Sequence, residues 1–385
     1  MLAAALLWLA LAAVPNAARL VRVGGYTLSV RDGRLMIHRG RDVAPLPGIR
    51  SASALGAARL AGGKIALRYE DACGVEQSLS LSPATLDALL ANAAGMRAYR
   101  KGELGEATSR FSRALALDPQ LDVAATNLAS AEARLGRTGP ALAALAPLLL
   151  TRQFATYAKI VGDPDLAHLR GTAPIAALLA RDVGSPALSL SRQGAVELPL
   201  ARSGLLLAPE RGWLAALLFE RAWGSCSFSA DVVVHDARTG QPVGALSVVA
   251  VGEAEPDCAR PGVREAARAR VESRLAVANS VLVDFGFRPI RATEHAAIDG
   301  RADQRLRARF EKAAIDVEVR QGRLRALRKG ALVRELVVSP PSAIDRAVYL
   351  ADPPVIVLGW SRAGREGCEG SDPAGIVVLP LPTAP

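Results

Sequence analysis

The chain has 385 residues, a formal net charge of +10, 50% hydrophobic and 22% charged residues. That length admits two or three domains. The hydrophobic share excludes a disordered chain, and with no apolar run of about 18 residues after the first twenty a multi-span membrane protein is excluded too. Aromatic residues make up only 4%, so the core must be built largely from Ala, Leu and Val. Only five of the 47 basic residues are lysine (Lys64, Lys101, Lys159, Lys312, Lys329); the excess of arginine reads as the codon bias of a GC-rich genome. Charge is uneven, with +8 over residues 19–68, +8 over 260–335 and −6 elsewhere. A basic face attracts polyanions through counterion release, but the aromatic platform of a single-strand binder is missing, so nucleic acid is not an expected partner. The stretch 301–334, with eleven basic residues against four acidic, leaves an anionic surface polymer as a minor additional partner.

The first element sets the compartment. Met1 to Val14 is an unbroken apolar run followed by Pro15, Asn16, Ala17 and Ala18, too short to span a bilayer and ending in small residues as a secretory signal does. Residues 1–18 are therefore expected to be a signal peptide and the protein periplasmic or secreted, with membrane contact only if the segment stays uncleaved. Cys73, Cys226, Cys258 and Cys368 fit two disulfides in an oxidising compartment. Three connectivities are open; Cys226 with Cys258, which bracket one hairpin, and Cys73 with Cys368 are preferred. No CxxC spacing supports a metal site or thioredoxin-type redox chemistry.

Residues 84–180 show helical punctuation. From Gly95 the chain reads GMRAYRKGELGEATSRFSRALALDP, and a looser copy follows 34 residues on with Asn127, Leu128, Ala129, Gly136, Ala141 and Leu145. Counted back from Pro119, the residues Gly95, Gly102, Ala107, Phe111 and Ala114 fall where the tetratricopeptide repeat has Gly, Gly, Ala, an aromatic and Ala, so this stretch resembles that family. The resemblance implies paired antiparallel helices, close at the small residues, with the aromatic filling the gap. In the second copy Pro140 opens the second helix and Pro147 is expected to interrupt its end. A degenerate third unit is expected over Thr151 to Ala180, including DPDLAHLR. In that family the first helix of each pair lines a concave groove that takes a peptide or protein segment. Carried over by position, the groove residues would be Asn92, Met96, Tyr99 and Arg100, then Asn127, Ser130 and Arg134. Arg100 and Arg134 are 34 apart and are expected on one face, where they could meet a partner's carboxylates. The lysines of the family's carboxylate-clamp form are missing.

The flanks carry three similar β units. SVRDGRLMI (Ser29 to Ile37), SLSRQGAVEL (Ser189 to Leu198) and EVRQGRLRAL (Glu318 to Leu327) alternate around Asp-Gly or Gln-Gly, as β-hairpins do. Each is followed by an apolar strand (KIALRY, WLAALLF, PVIVLGW), then a cysteine, then a further strand. Units of four short strands, and VVVHDARTGQPVGALSVV (Val232 to Val249) in particular, resemble β-propeller blades, although three units cannot close a propeller. Between the second and third units, Val271, Leu275, Ala278 and Leu282 mark a helical stripe.

Signs of chemistry are sparse. VIVLGWSRAG (Val355 to Gly364) runs a strand into Gly-x-Ser as at a hydrolase nucleophile elbow, with Ser361 as nucleophile. Ala363 replaces the last glycine, and no histidine follows His295. His38, His168, His235 and His295 lack metal-ligand spacing, so no metal or cofactor is expected. Gly62, Gly63 and Lys64 make a turn rather than a phosphate loop, and Asp163 and Asp165 serve as turn or capping residues.

The sequence therefore predicts an α+β chain with tetratricopeptide hairpins inserted between β-rich units. The expected segments are a signal peptide (1–18), a first β unit (19–83), helical repeats (84–180), a second β unit (181–260), a helical segment (261–311) and a third β unit (312–385). The expected function is non-enzymatic binding of a protein or peptide partner in the cell envelope; the alternative is an envelope serine hydrolase using Ser361.

Overall fold

The structure is a computed structural model that describes residues 20–31, 34–46, 52, 54–70, 76–185, 188–190, 196–197, 205–221, 228–249, 261–299, 306–320, 323–337, 343–361 and 375–382. The signal segment and all four cysteines lie outside these residues. The chain forms two compact units, Met1–Leu145 and Ala146–Pro385.

The first unit opens with two antiparallel meanders. Val21–Val23 (β1), Tyr26–Arg31 (β2), Arg34–Arg39 (β3) and Asp42–Pro45 (β4) pair in sequence order, and Ala54–Ala61 (β5), Lys64–Glu70 (β6) and Glu76–Leu81 (β7) do the same. The alternation read in the sequence has a direct cause. Tyr26, Leu28, Leu35 and Ile37 point to one side of the first sheet and meet Ile65 and Leu67 of the second in a common core. Ile37, wholly buried, contributes roughly 1.5–3 kcal/mol by leaving water. Arg31 sits opposite Arg34 across the β2–β3 hairpin, and β5 and β6 are joined by the two-residue turn Gly62-Gly63.

Helices follow at Pro83–Lys101 (α1), Leu104–Leu117 (α2), Asp122–Arg134 (α3) and Thr138–Thr151 (α4). Ser82 starts α1, its hydroxyl accepting the Thr85 N–H at 3.0 Å, with proline at the first helical position. Gly102 and Gly136 end α1 and α3 alike. Each takes a left-handed φ (79° and 74°) that a side chain would strain, and the next residue donates back five positions, Glu103 to Ala98 and Arg137 to Glu132. Leu86, Leu89 and Leu90 of α1 complete the core of the two sheets. Contrary to expectation, α4 runs on through Pro147 to Thr151.

In the second unit Gln153–Gly162 (α5) leads to a 3-10 turn at Ala167–Gly171 and the one-turn helix Ala173–Ala176 (α6). The stretch Thr151–Ala180, expected to add a further degenerate hairpin, thus holds a single full helix. Phe154, Tyr157 and Ile160 are wholly buried, because α5 packs on a sheet strand and on the long helix below. The strands are Ser189–Leu190 (β8), Val196–Glu197 (β9), Leu205–Ala208 (β10), Trp213–Arg221 (β11), Phe228–Asp236 (β12) and Pro242–Val249 (β13). After helix Pro261–Asp284 (α7) come Arg288–Pro289 (β14), Glu294–His295 (β15), Ala297–Asp299 (β16), Leu306–Phe310 (β17), Ile315–Arg320 (β18), Arg323–Arg328 (β19), Ala331–Val337 (β20), Ala343–Ala351 (β21), Pro354–Ser361 (β22) and Gly375–Pro380 (β23). The helical segment expected over 261–311 therefore ends early. Phe287 donates to Leu282 in a closing turn after Asp284, and short strands take over.

Three larger antiparallel sheets result, ordered β13-β12-β11-β10-β14, β16-β17-β18-β19-β20 and β15-β21-β22-β23. Strand β22 is buried on both faces. Ile356 and Leu358 join the core of the β16–β20 sheet, while Val355 and Val357 join that of β10 and β11, which is why its sequence is an unbroken Val-Ile-Val-Leu run. Strands β17–β20 followed by β21–β23 repeat the order of β1–β4 followed by β5–β7. Both copies carry a register shift between the first two strands of their second meander, near Leu55 and near Ile344. The protein is of the α+β class.

Candidate functional site

The expected groove residues lie on α1 and α3, whose geometry is set by the contact of α1 with α2. A Cβ on Gly95 would stand 2.6 Å from Cδ1 and Cε1 of Phe111, so only glycine lets that ring lie against the helix. Ala98, Ala107, Phe111 and Ala131 form a small core of their own, with Met96, Tyr99 and Leu128 half-buried against it.

Two side-chain pairs then join α1 to α3. Asn127 Nδ2 donates to Asn92 Oδ1 at 2.8 Å, with Asn92 buried. The Arg134 guanidinium lies over the Tyr99 ring, 4.8 Å from its centroid, a cation–π contact worth about 0.5–1 kcal/mol at an exposed site. Both pairs are 35 residues apart, one more than the repeat, so Arg134 meets Tyr99, and Arg100, the next residue on α1, is exposed. Ser130 is buried and donates back to the Thr126 carbonyl at 3.2 Å, which turns its hydroxyl into the helix. Of the seven residues, Asn92, Asn127, Tyr99 and Arg134 are brought together in pairs, Met96 supports them, Arg100 stands open and Ser130 is occupied with its own helix.

The sequence did not point to the residues that tie α1 to the first sheet. Tyr26 Oη donates to Asp87 Oδ1 at 2.8 Å, Arg39 Nη1 donates to the same oxygen at 2.6 Å, and Arg97 pairs with Asp42. Burial first, then the neighbouring carboxylate, pushes the Tyr26 hydroxyl up to about 12. These partners lie 48 to 61 positions apart, and no local pattern announces them. A polar recess of about 430 Å³ lies beside them, lined by Arg39, Asp42, Asp87, Arg110 and Arg113 over Leu90, Ala91 and Ala94.

Ser361 is the last residue of β22, which runs antiparallel to both β21 and β23; the residues that would form a nucleophile elbow after it lie outside the described residues. The histidines are spread over β3, the 3-10 turn, β12 and β15. His38 Nε2 lies 2.8 Å from Ser29 Oγ, and burial holds the His235 imidazole below its usual range. Asp163 forms a turn, its Oδ1 accepting the Asp165 N–H at 2.9 Å. The arginines of β17–β19 are interleaved with carboxylates: Arg307 pairs with Glu318 at 3.0 Å, Arg309 with Asp316 at 2.9 Å, and Glu335 with both Arg323 and Arg325. The two guanidiniums hold the Glu335 carboxyl below its usual range.

No family model matches the chain, and neither a curated protein nor a solved structure is similar to it.

Proposed function

We propose that the chain is a non-enzymatic, exported binding protein whose α1–α4 hairpins form a tetratricopeptide-type cradle for a peptide segment of a protein partner in the cell envelope. The observation that carries this reading is the pairing of Asn92 with Asn127 and of Tyr99 with Arg134, which joins α1 to α3 through amide, aromatic and guanidinium groups. Exposed Arg100 adds a further cation on α1. These groups suit an extended segment with carboxylates, because guanidinium and amide groups hydrogen-bond carboxylate and backbone while Tyr99 and Met96 supply apolar contact.

The test is affinity capture from envelope extract with the intact protein and with the double variant Arg100→Glu, Arg134→Glu. The captured protein is identified and its binding repeated with purified components. The variant is expected to lose the partner while keeping its helical circular dichroism; equal capture by both proteins counts against the reading.

A further inference from the structure

The two copies of the β meander differ in what covers their second sheet. In the second unit, Val348, Leu350, Val355, Val357 and Val378 of β21–β23 are buried against β10 and β11. In the first unit the face of β5–β7 turned away from β1–β4 carries no such residues. Arg59 stands opposite Ala66, which stands opposite Ser80; Arg68 stands opposite Ser78; Lys64 begins β6 beside Ala61. Arg59, Lys64, Arg68, Ser78 and Ser80 are all exposed. Arg59, Arg68, Ser78 and Ser80 line a trough of about 480 Å³ over the small side chains of Ala57 and Ala66, and Lys64 stands at the turn end outside its lining.

We propose that this trough binds an acidic polysaccharide. Arg59 and Lys64 have no ion-pair partner among the described residues, nor do the Ser78 and Ser80 hydroxyls have a hydrogen-bond partner there. Arg68 is shared with Glu76 at 3.3 Å. The acids of this face, Glu70 and Glu76, stand opposite each other at the far end of the strands, so the turn end is net positive. By contrast, the arginine-rich face of β17–β20 is filled with its own carboxylates, and the first-unit face offers the more open cations. The two rows, one cation and one serine each, are about 6.6–6.8 Å apart along the strands. They suit a chain that repeats a negative group among hydroxyls. No aromatic ring lines the trough, so base stacking has no platform and single-stranded nucleic acid is the poorer fit. The contact uses a sheet face and not a sheet edge, so it offers an extended peptide none of the backbone pairing that usually holds one to a sheet.

The test uses the full chain and immobilised polygalacturonate, read by surface plasmon resonance over a series of salt concentrations. Arg59→Glu, Lys64→Glu breaks no ion pair among the described residues and is expected to leave the melting temperature unchanged. It is expected to weaken binding by about tenfold or more, with the parent's affinity falling as salt rises. Arg307→Glu, on the internally paired face, keeps the parent's affinity. No binding by the parent protein, or equal binding by the double variant, overturns the proposal. So does equal or tighter binding of polyglutamate, single-stranded DNA or neutral dextran.

Discussion

Phe111 lies so near Gly95 that the first carbon of any side chain there would come within 2.6 Å of its ring. Helix propensity alone favours alanine over glycine by about 1 kcal/mol, but forcing a methyl into this contact costs about 1–3 kcal/mol. The steric effect wins because Phe111 is wholly buried and cannot swing away. Gly95→Ala is expected to lower the urea midpoint, and adding Phe111→Leu to restore part of it. A Gly95→Ala protein as stable as the parent contradicts the close contact.

Asp284 ties three elements of the second unit together. Tyr157 Oη donates to its Oδ2 at 2.7 Å and Arg170 to its Oδ1 at 2.7 Å. Hydrogen bonds to charged groups contribute about 1.5–3 kcal/mol, so Asp284→Asn should cost about that much in chemical unfolding. Tyr157→Phe should cost about 1.5–3 kcal/mol in the parent, since its bond too is to the carboxylate, and clearly less in the Asp284→Asn background. Additive effects would show that the two groups do not act on one another.

Alkali should loosen the first unit through Tyr26. Its folded hydroxyl titrates near 12, above the ordinary value of 10.0. The protonated tyrosine therefore stabilises the fold fully below pH 10, and this contribution is lost as pH rises from about 10 towards 12. The unfolding free energy of the parent should fall more steeply over that interval than that of Tyr26→Phe. Parallel curves for the two proteins would sink this expectation.

Phe154 anchors an aromatic cluster, with ring centroids 5.6 Å from Phe285 and 6.2 Å from both Phe287 and Trp213. Truncation to alanine is expected to cost about 3–5 kcal/mol and to red-shift tryptophan emission as water reaches Trp213. An unshifted spectrum with unchanged stability would contradict the packing.

Much of the fold could be read from local pattern. Alternation around Asp32-Gly33 and Gln321-Gly322 marked hairpins, since a strand buried on one face must alternate. Gly102 and Gly136, read as repeat glycines, prove to close α1 and α3, whereas the Ser82 cap was not singled out in the sequence although capping is a local matter. The unbroken Val355 to Leu358 run was read as an apolar strand, and its burial on both faces became visible only with the sheets that cover it. What failed was non-local. Phe154, Tyr157 and Ile160 have helical spacing whatever they pack against, so α5 looked like the start of another hairpin. The stripe Val271 to Leu282 was correctly placed on a helix, and the segment bound at 311 overshot because it was carried on past the end of that helical spacing. At the candidate site, repeat spacing indicated which helices would be neighbours. The offset that puts Arg134 on Tyr99 instead of beside Arg100 depends on how side chains lean along adjoining helices. The ties Arg97 to Asp42 and Arg170 to Asp284 join residues 55 and 114 positions apart, beyond any spacing rule.

The matched meanders end differently at β4 and β20. Strand β4 has α1 along it, held by Arg97 and Asp42, whereas β20 is the last strand of its sheet, with Val337 84% and Leu332 55% exposed. Among the described residues no strand pairs with the outer backbone of β20, and a rim of amides and carbonyls flanked by greasy side chains is a template for strand-on-strand growth. Concentrated stocks of this protein should thicken into filaments that start there, and Leu332→Lys should keep them clear.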